Sequence, residues 1–179
     1  MSAAAGVVNA LQAGREGDAA VLVFEYMAVT LAEAGCRAAA AGIGDLPPAL
    51  QHECHNLQTV YRPPGALLAA YRGEQPIGCV GLAPCPRQRA AEIKRLYVRP
   101  GHRREGIAHA LMSHAHHHAA EHGITRVILD VLPTRGHVIG FYRRLGYTGA
   151  EPHATGSPVP MVYLQRRITR DDIHPSHGA

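Results

Sequence analysis

"VRPGHRREGIAHALM", residues 98–112, sets three arginines, two glycines and a proline directly ahead of an apolar pattern of helical period. Arg103, Gly106 and Ala108 carry the spacing Arg-x-x-Gly-x-Ala, and Ala110, Leu111 and Ala115 follow at helical intervals. The chain therefore runs from a turn straight into a helix. The first N–H groups of a helix have no partner within it, and the helix dipole adds partial positive charge, so this junction welcomes an anion. Gly106 lets the main chain come close to such an anion, and amide donors need no particular side chain.

Working outward, "AAEIKRLYV" at residues 90–98 reads as a strand entering the loop, and the helix runs to about residue 122, where Gly123 stops it. "RVILDVL" follows as a buried strand. Residues 90–131 thus form a strand-loop-helix-strand unit, with a right-handed crossover and its loop at the C-terminal end of the first strand. Ile93 and Leu96 are separated by an odd number of positions, so strict alternation slips between them, which predicts a β-bulge. Upstream, residues 7–11 read as a short strand, Asp18 as the cap of a helix reaching residue 33, and residues 49–60 as a second helix ended by "YRPPG". "ALLAAYR" and "PIGCVGLA" form an antiparallel hairpin. Downstream, residues 136–145 read as a short helix, "PMVYLQRR" as a late strand, and residues 168–179 as a frayed polar tail.

The 179 residues suit one domain, spanning residues 1–179, with a core built without disulfides. Cys36, Cys54, Cys79 and Cys85 contain no CxxC pair and read as free thiols in a reducing compartment. With 46% apolar and 18% charged residues, no run long and apolar enough to span a bilayer, and no signal-peptide pattern at the start, the expected location is cytoplasmic, with no membrane partner. A net charge of +4 fits a polyanionic ligand, but the basic residues form no block that would argue for nucleic acid. Neither Gly-x-Gly-x-x-Gly near a first strand nor a Gly-Lys-Ser/Thr phosphate loop is present. His114, His118 and His122 repeat at i, i+4, a spacing that can hold a metal. No further ligand type converges on them, so a solvated helix face is expected and no metal.

Taken in order, "AEIKRLYVRPGHRREGIAHAL", "RVILDVLP" and "FYRRLGY" resemble the core of the GNAT superfamily of acyl-CoA-dependent N-acetyltransferases, over residues 66–148. The resemblance implies a mixed α/β fold: a mostly antiparallel central sheet flanked by helices, with a splayed parallel strand pair at the acyl-CoA site. It implies acetyl-CoA as co-substrate, its pyrophosphate wrapped by the amides of Arg103, Arg104, Glu105, Gly106, Ile107 and Ala108. The main chain of Leu96, Tyr97 and Val98 would meet the pantetheine arm and the thioester oxygen. Glu92 matches a carboxylate that takes a proton from the amine, directly or through water; as a strand residue it could equally pair with a neighbour such as Lys94 or an arginine. Tyr142 matches a tyrosine that protonates the departing thiolate. Relatives often carry an asparagine shortly before this tyrosine; here residues 131–142 have none and Arg135 stands at about that place.

The expected activity is acetyl transfer to a primary amine of a small molecule by direct attack in a ternary complex, since no cysteine lies in the matched catalytic segments. The acceptor would enter beside the first two helices and "YRPPG", opposite the "GAEPHATGSPVP" loop. A protein or peptide acceptor and a non-catalytic acyl-CoA sensor are the alternatives, and a homodimer is compatible with all three.

Overall fold

A computed structural model describes residues 5–33, 35, 40–85, 89–152 and 160–173. Seven strands form one sheet: β1 (Gly6–Asn9), β2 (Ala66–Arg72), β3 (Gln75–Cys85), β4 (Ala90–Val98), β5 (Arg126–Val131), β6 (Thr148–Gly149) and β7 (Val162–Arg167). Their spatial order is β1-β2-β3-β4-β5-β7-β6, and every neighbouring pair is antiparallel except β4 and β5. Five helices pack on it: α1 (Glu16–Glu33), α2 (Pro48–His55), α3 (Leu57–Val60), α4 (Ile107–Glu121) and α5 (Gly136–Arg144). The mixed, mostly antiparallel sheet with one parallel pair is the architecture expected from the resemblance.

The sheet separates two cores. On one face Leu111, Met112, Ala115 and Ala119 of α4 bury against Ile77, Ile93, Val127 and Leu129. On the other, Leu22, Val23 and Met27 of α1 bury with Leu57, Tyr61, Leu67 and Cys79. Each fully buried large side chain here contributes roughly 1.5–3 kcal/mol through removal from water. Alternation along β4 puts Ala91 and Ile93 on the α4 side and turns Glu92 and Lys94 toward α1 and α2.

Two irregularities in β4 shape the site. Cys79 pairs with Tyr97 but Gly81 pairs with Lys94, so Val80 faces both Arg95 and Leu96, and Arg95 takes a left-handed φ of +57°. The expected bulge is there. The second irregularity is a fork: β4 and β5 pair only at Ala90–Arg126, Ala91–Val127 and Glu92–Ile128, after which β4 continues to Val98 and β5 to Val131 without pairing.

Several expectations are corrected. Asp18 lies inside the first turn of α1, which starts at Glu16, and accepts a 3.0 Å hydrogen bond from the Tyr71 hydroxyl. The expected helix over residues 49–60 breaks at Asn56, whose φ of −132° is not helical and whose side-chain amide bonds the His52 carbonyl at 2.7 Å. Residues 170–173 do not fray: Asp172 accepts from the Thr169 amide at 2.9 Å and from Arg166 at 2.8 Å, which docks a 3-10 turn beside α4. Residues 174–179 of the expected tail, and Cys36, lie outside the described residues. The two-residue β6 is too short to leave a periodic signal.

On the histidine face expected to be solvated, His114 and His122 are exposed and His118 is half-buried, while His116 turns to another face of α4. His116 is 6% exposed with Nε2 2.9 Å from the Tyr147 hydroxyl, and burial pushes its imidazole down to about 4. His118 and His122 stack with centroids 3.9 Å apart. Among the described residues no group of three His, Cys, Asp or Glu is placed to hold a metal, and no helix is long and apolar enough to cross a membrane.

Candidate active site

Residues 99–106 carry the chain from the free arm of β4 into α4. Pro100–His102 form a single 3-10 turn, Arg104 has φ +64°, and Gly106, at φ +80°, is the residue before the helix. Among the described residues no side chain caps α4. The first helical hydrogen bond is from the Ala110 amide to the Gly106 carbonyl at 3.0 Å, and the amides of residues 104–109 have no acceptor among the described residues. Six consecutive main-chain donors therefore remain available at the positive end of a helix dipole, and a Cβ built on Gly106 meets nothing within 4 Å. A pyrophosphate has the charge and the acceptor count to use them.

The side chains of the same loop are engaged in holding it. Arg103 Nε donates to the Val98 carbonyl at 3.1 Å, tying the loop back to the end of β4. Glu105 pairs with Arg72, whose other terminal nitrogen lies 3.1 Å from His102 Nδ1, and the Arg72 hydrogen bond holds the Glu105 carboxyl below its ordinary range. Arg99 donates to both oxygens of Glu25 on α1, at 3.0 and 2.7 Å, and to the Pro76 carbonyl at 2.6 Å. Arg104 is exposed and makes no ion pair among the described residues. Ile107 is buried in the α4-side core and Ala108 packs against its edge.

The fork lies at the same end of β4 as this loop. Its β4 arm presents Leu96, Tyr97 and Val98; Leu96 and Val98 pack on the α4 side and Tyr97 on the α1 side. Tyr142 of α5 is 6% exposed, within 5.4 Å of the Tyr147 ring, and its hydroxyl has no hydrogen-bond partner among the described residues. Burial, and then the neighbouring Tyr26 of α1, push this phenol well above its ordinary value, so it stays protonated at neutral pH.

Glu92 is the last β4 residue paired across the fork, and its Oε2 lies 3.6 Å from Lys94 Nζ. The structure thus contains the ion pair that the sequence offered as the other reading of Glu92. Asp130, which sequence reasoning did not single out, stands on the free arm of β5. Leu129 and Val131 face the α4-side core, so Asp130 turns to the same face as Glu92. It makes no ion pair among the described residues, and its charge acts on Tyr142. The signal for it was present in "LDVL", a charged residue inside an apolar strand.

Arg135 departs from the asparagine pattern to do something else. Its Nε donates to Glu33 Oε2 at 2.9 Å and its Nη2 to Thr30 Oγ1 at 3.1 Å, clasping the start of α5 to the end of α1. Cys54, Cys79 and Cys85 are all pushed above the usual thiol range by burial first, which leaves no thiolate nucleophile among them.

The profile of the acetyltransferase (GNAT) family matches residues 36–147. A protein described as an IAA acetyltransferase, from Azospirillum brasilense, is 28% identical over 125 residues, covering 70% of this chain and 82% of that protein. Among solved structures, an acetyltransferase of the GNAT family from Staphylococcus aureus has a TM-score of 0.71 at 14% identity, covering 93% of this chain and 100% of its own. An aminoglycoside 6'-N-acetyltransferase complexed with coenzyme A has a TM-score of 0.65 at 18% identity, covering 93% and 98%. At these identities the structural likeness speaks to the fold.

Proposed function

The chain belongs to the acetyltransferase (GNAT) family, and on that premise we propose that it moves an acetyl group from acetyl-CoA to a primary amine of a small molecule by direct attack in a ternary complex. The observation that carries this reading is the meeting, at one end of β4, of the fork and the six unpaired amides of residues 104–109. Acetyl-CoA supplies the acyl group and an anionic pyrophosphate. The amides bind the latter, Arg103 holds their loop against Val98, and the main chain of Leu96, Tyr97 and Val98 lines the fork for the thioester.

On the α1 side of the fork, Glu92 takes the proton that the acceptor ammonium must lose, directly or through a water, with Lys94 Nζ 3.6 Å from its carboxylate. Asp130 gives that face a second carboxylate and favours a cationic acceptor. Tyr142 supplies the proton to the departing thiolate, since its hydroxyl is protonated and uncommitted. The high thiol values of Cys54, Cys79 and Cys85 support transfer without an acyl-cysteine.

The test is an acceptor screen that reports free thiol released from acetyl-CoA, with amino acids, polyamines, aminoglycosides and peptides in parallel. Release driven by a small amine supports the reading. Release driven by peptides alone moves the acceptor to a protein terminus or lysine, and tight binding of acetyl-CoA with no release for any acceptor turns the chain into a sensor.

A further inference from the structure

Arg95 is the residue around which β4 bulges, and it is a non-glycine residue in the left-handed region, at φ +57°. Such a conformation persists where the surroundings determine it. Here the surroundings come from the N-terminal third of the chain. Arg95 Nε and Nη2 donate to Glu53 Oε1 and Oε2 at 2.8 and 2.7 Å, a two-pronged pair. The Tyr61 hydroxyl donates to Glu53 Oε1 at 2.7 Å, and the Arg95 guanidinium lies over the Tyr26 ring, 5.6 Å from its centroid. The Cys79 thiol donates to the Arg95 carbonyl at 3.3 Å.

These groups are out of water: Glu53 is 7% exposed and Tyr61 1%. Burial by itself would raise the Glu53 carboxyl, and the hydrogen bonds from Arg95 and Tyr61 outweigh it, leaving the group below its ordinary value and ionised. Tyr61 reaches Glu53 because Gly81, the β3 partner of Lys94, has no side chain; a Cβ there would overlap the tyrosine ring. The bulge is therefore fixed by a chain of contacts running Gly81, Tyr61, Glu53, Arg95, on the sheet face away from α4. A buried ion pair of this kind is a weak source of stability but fixes geometry, because losing one partner strands the other's charge.

We infer that Glu53 is a positioning residue for acyl transfer: by gripping Arg95 it sets the bulge, and so the direction in which the main chain of residues 96–98 faces the fork. The inference rests on reading the fork as the acyl site. Glu53 itself touches neither substrate. Coenzyme affinity depends on the loop amides beyond Val98, so the grip governs turnover more than binding.

The experiment pairs amide hydrogen exchange with kinetics in Glu53→Gln, which keeps the shape and removes the charge, and in Arg95→Lys, which cannot make the two-pronged contact. Tyr61→Phe, which keeps the pair and loses one hydrogen bond, serves as the mild member should the others fold poorly. The expected result is faster exchange confined to residues 95–98, kcat lower by about tenfold or more in the first two variants and less in Tyr61→Phe, and acetyl-CoA affinity within about twofold of the parent. Unchanged exchange at 95–98, or an unchanged kcat in a chemistry-limited assay, overturns the inference. So does a fall in affinity and kcat together with a general rise in exchange, which would mark a purely structural role. Failure of the acetyl-transfer reading shows separately, as a parent protein that neither binds coenzyme A nor releases thiol, and removes both.

Discussion

The two sides of the fork are built from different materials. The side proposed for coenzyme is main chain: the six amides of residues 104–109 have no acceptor among the described residues, while the side chains of Arg103, His102 and Glu105 keep the loop in place. The side proposed for the acceptor is side chains brought from distant segments: Glu53 to Arg95, Tyr61 to Glu53, and Glu33 to Arg135, the last pair 102 residues apart. A main-chain site depends on a few small residues at fixed spacing and tolerates change elsewhere. A side-chain site depends on partners that can be changed one at a time. This division suits an enzyme that keeps one co-substrate and adapts its acceptor.

The largest expected effect is at Tyr142, the buried phenol of α5 proposed as the proton donor. Tyr142→Phe removes only a hydroxyl with no hydrogen-bond partner among the described residues, so packing should survive while the acetyl transfer rate drops by ~10²-fold or more with acetyl-CoA affinity nearly constant. An unchanged rate in a chemistry-limited assay would assign the tyrosine to packing.

Next in size is the choice between the two carboxylates on the face proposed for the acceptor. Glu92→Gln should lower turnover at neutral pH by about 10- to 100-fold with little effect on coenzyme affinity, while Asp130→Asn should raise the acceptor KM more than it lowers kcat. If the pH profile of kcat/KM loses its acidic limb in Asp130→Asn and keeps it in Glu92→Gln, the proton goes to Asp130 and the Glu92–Lys94 pair is structural.

How much of this could be read from the residues follows the same division. The loop and its helix were legible because "RREGIA" encodes a backbone requirement, a small residue at the point of closest approach and a left-handed turn, in consecutive positions. The bulge was legible because it interrupts a period of two in "EIKRL". The partner of Arg95 was not: Glu53 sits in "LQHECHN", where nothing local distinguishes a buried ion-paired glutamate from an exposed one. The burial of His116 was hidden likewise, since its partner Tyr147 comes from beyond α5 and the alternating histidines look like a wet face. The break at Asn56 was missed because helix propensity on both sides is ordinary and the stop is a side-chain bond to the His52 carbonyl.

A smaller effect sharpens the main-chain side. Arg103→Ala removes the tie to the Val98 carbonyl but leaves every amide, so coenzyme affinity should fall by no more than about tenfold, the scale of one ordinary hydrogen bond. Titration calorimetry distinguishes this from a loss several times larger, which would mean that the guanidinium itself carries the anion.

The least effect on turnover is expected at His116, where the prediction concerns stability. Its imidazole takes up a proton near 6.5 in the unfolded chain but only at about 4 when folded, so protons favour the unfolded state between those values. The contribution is fully present above pH 6.5 and is lost as pH falls toward 4. Thermal melts from pH 4 to 7.5 should show a steeper acid loss in the parent than in His116→Gln, and equal slopes would contradict the assignment.

Coenzyme binding is expected to hinge on the loop before α4. Gly106 holds φ +80° with open space around its missing side chain, so Gly106→Val strains the turn and places a branched side chain where the anion must approach, without a clash inside the protein. The decisive measurement is calorimetric titration of coenzyme A into the parent and into a Gly106→Val protein shown to be folded by its melt. The predicted result is micromolar-range binding to the parent and a loss of at least about tenfold in the variant; equal affinity in the two proteins would contradict the claim that these amides hold the coenzyme.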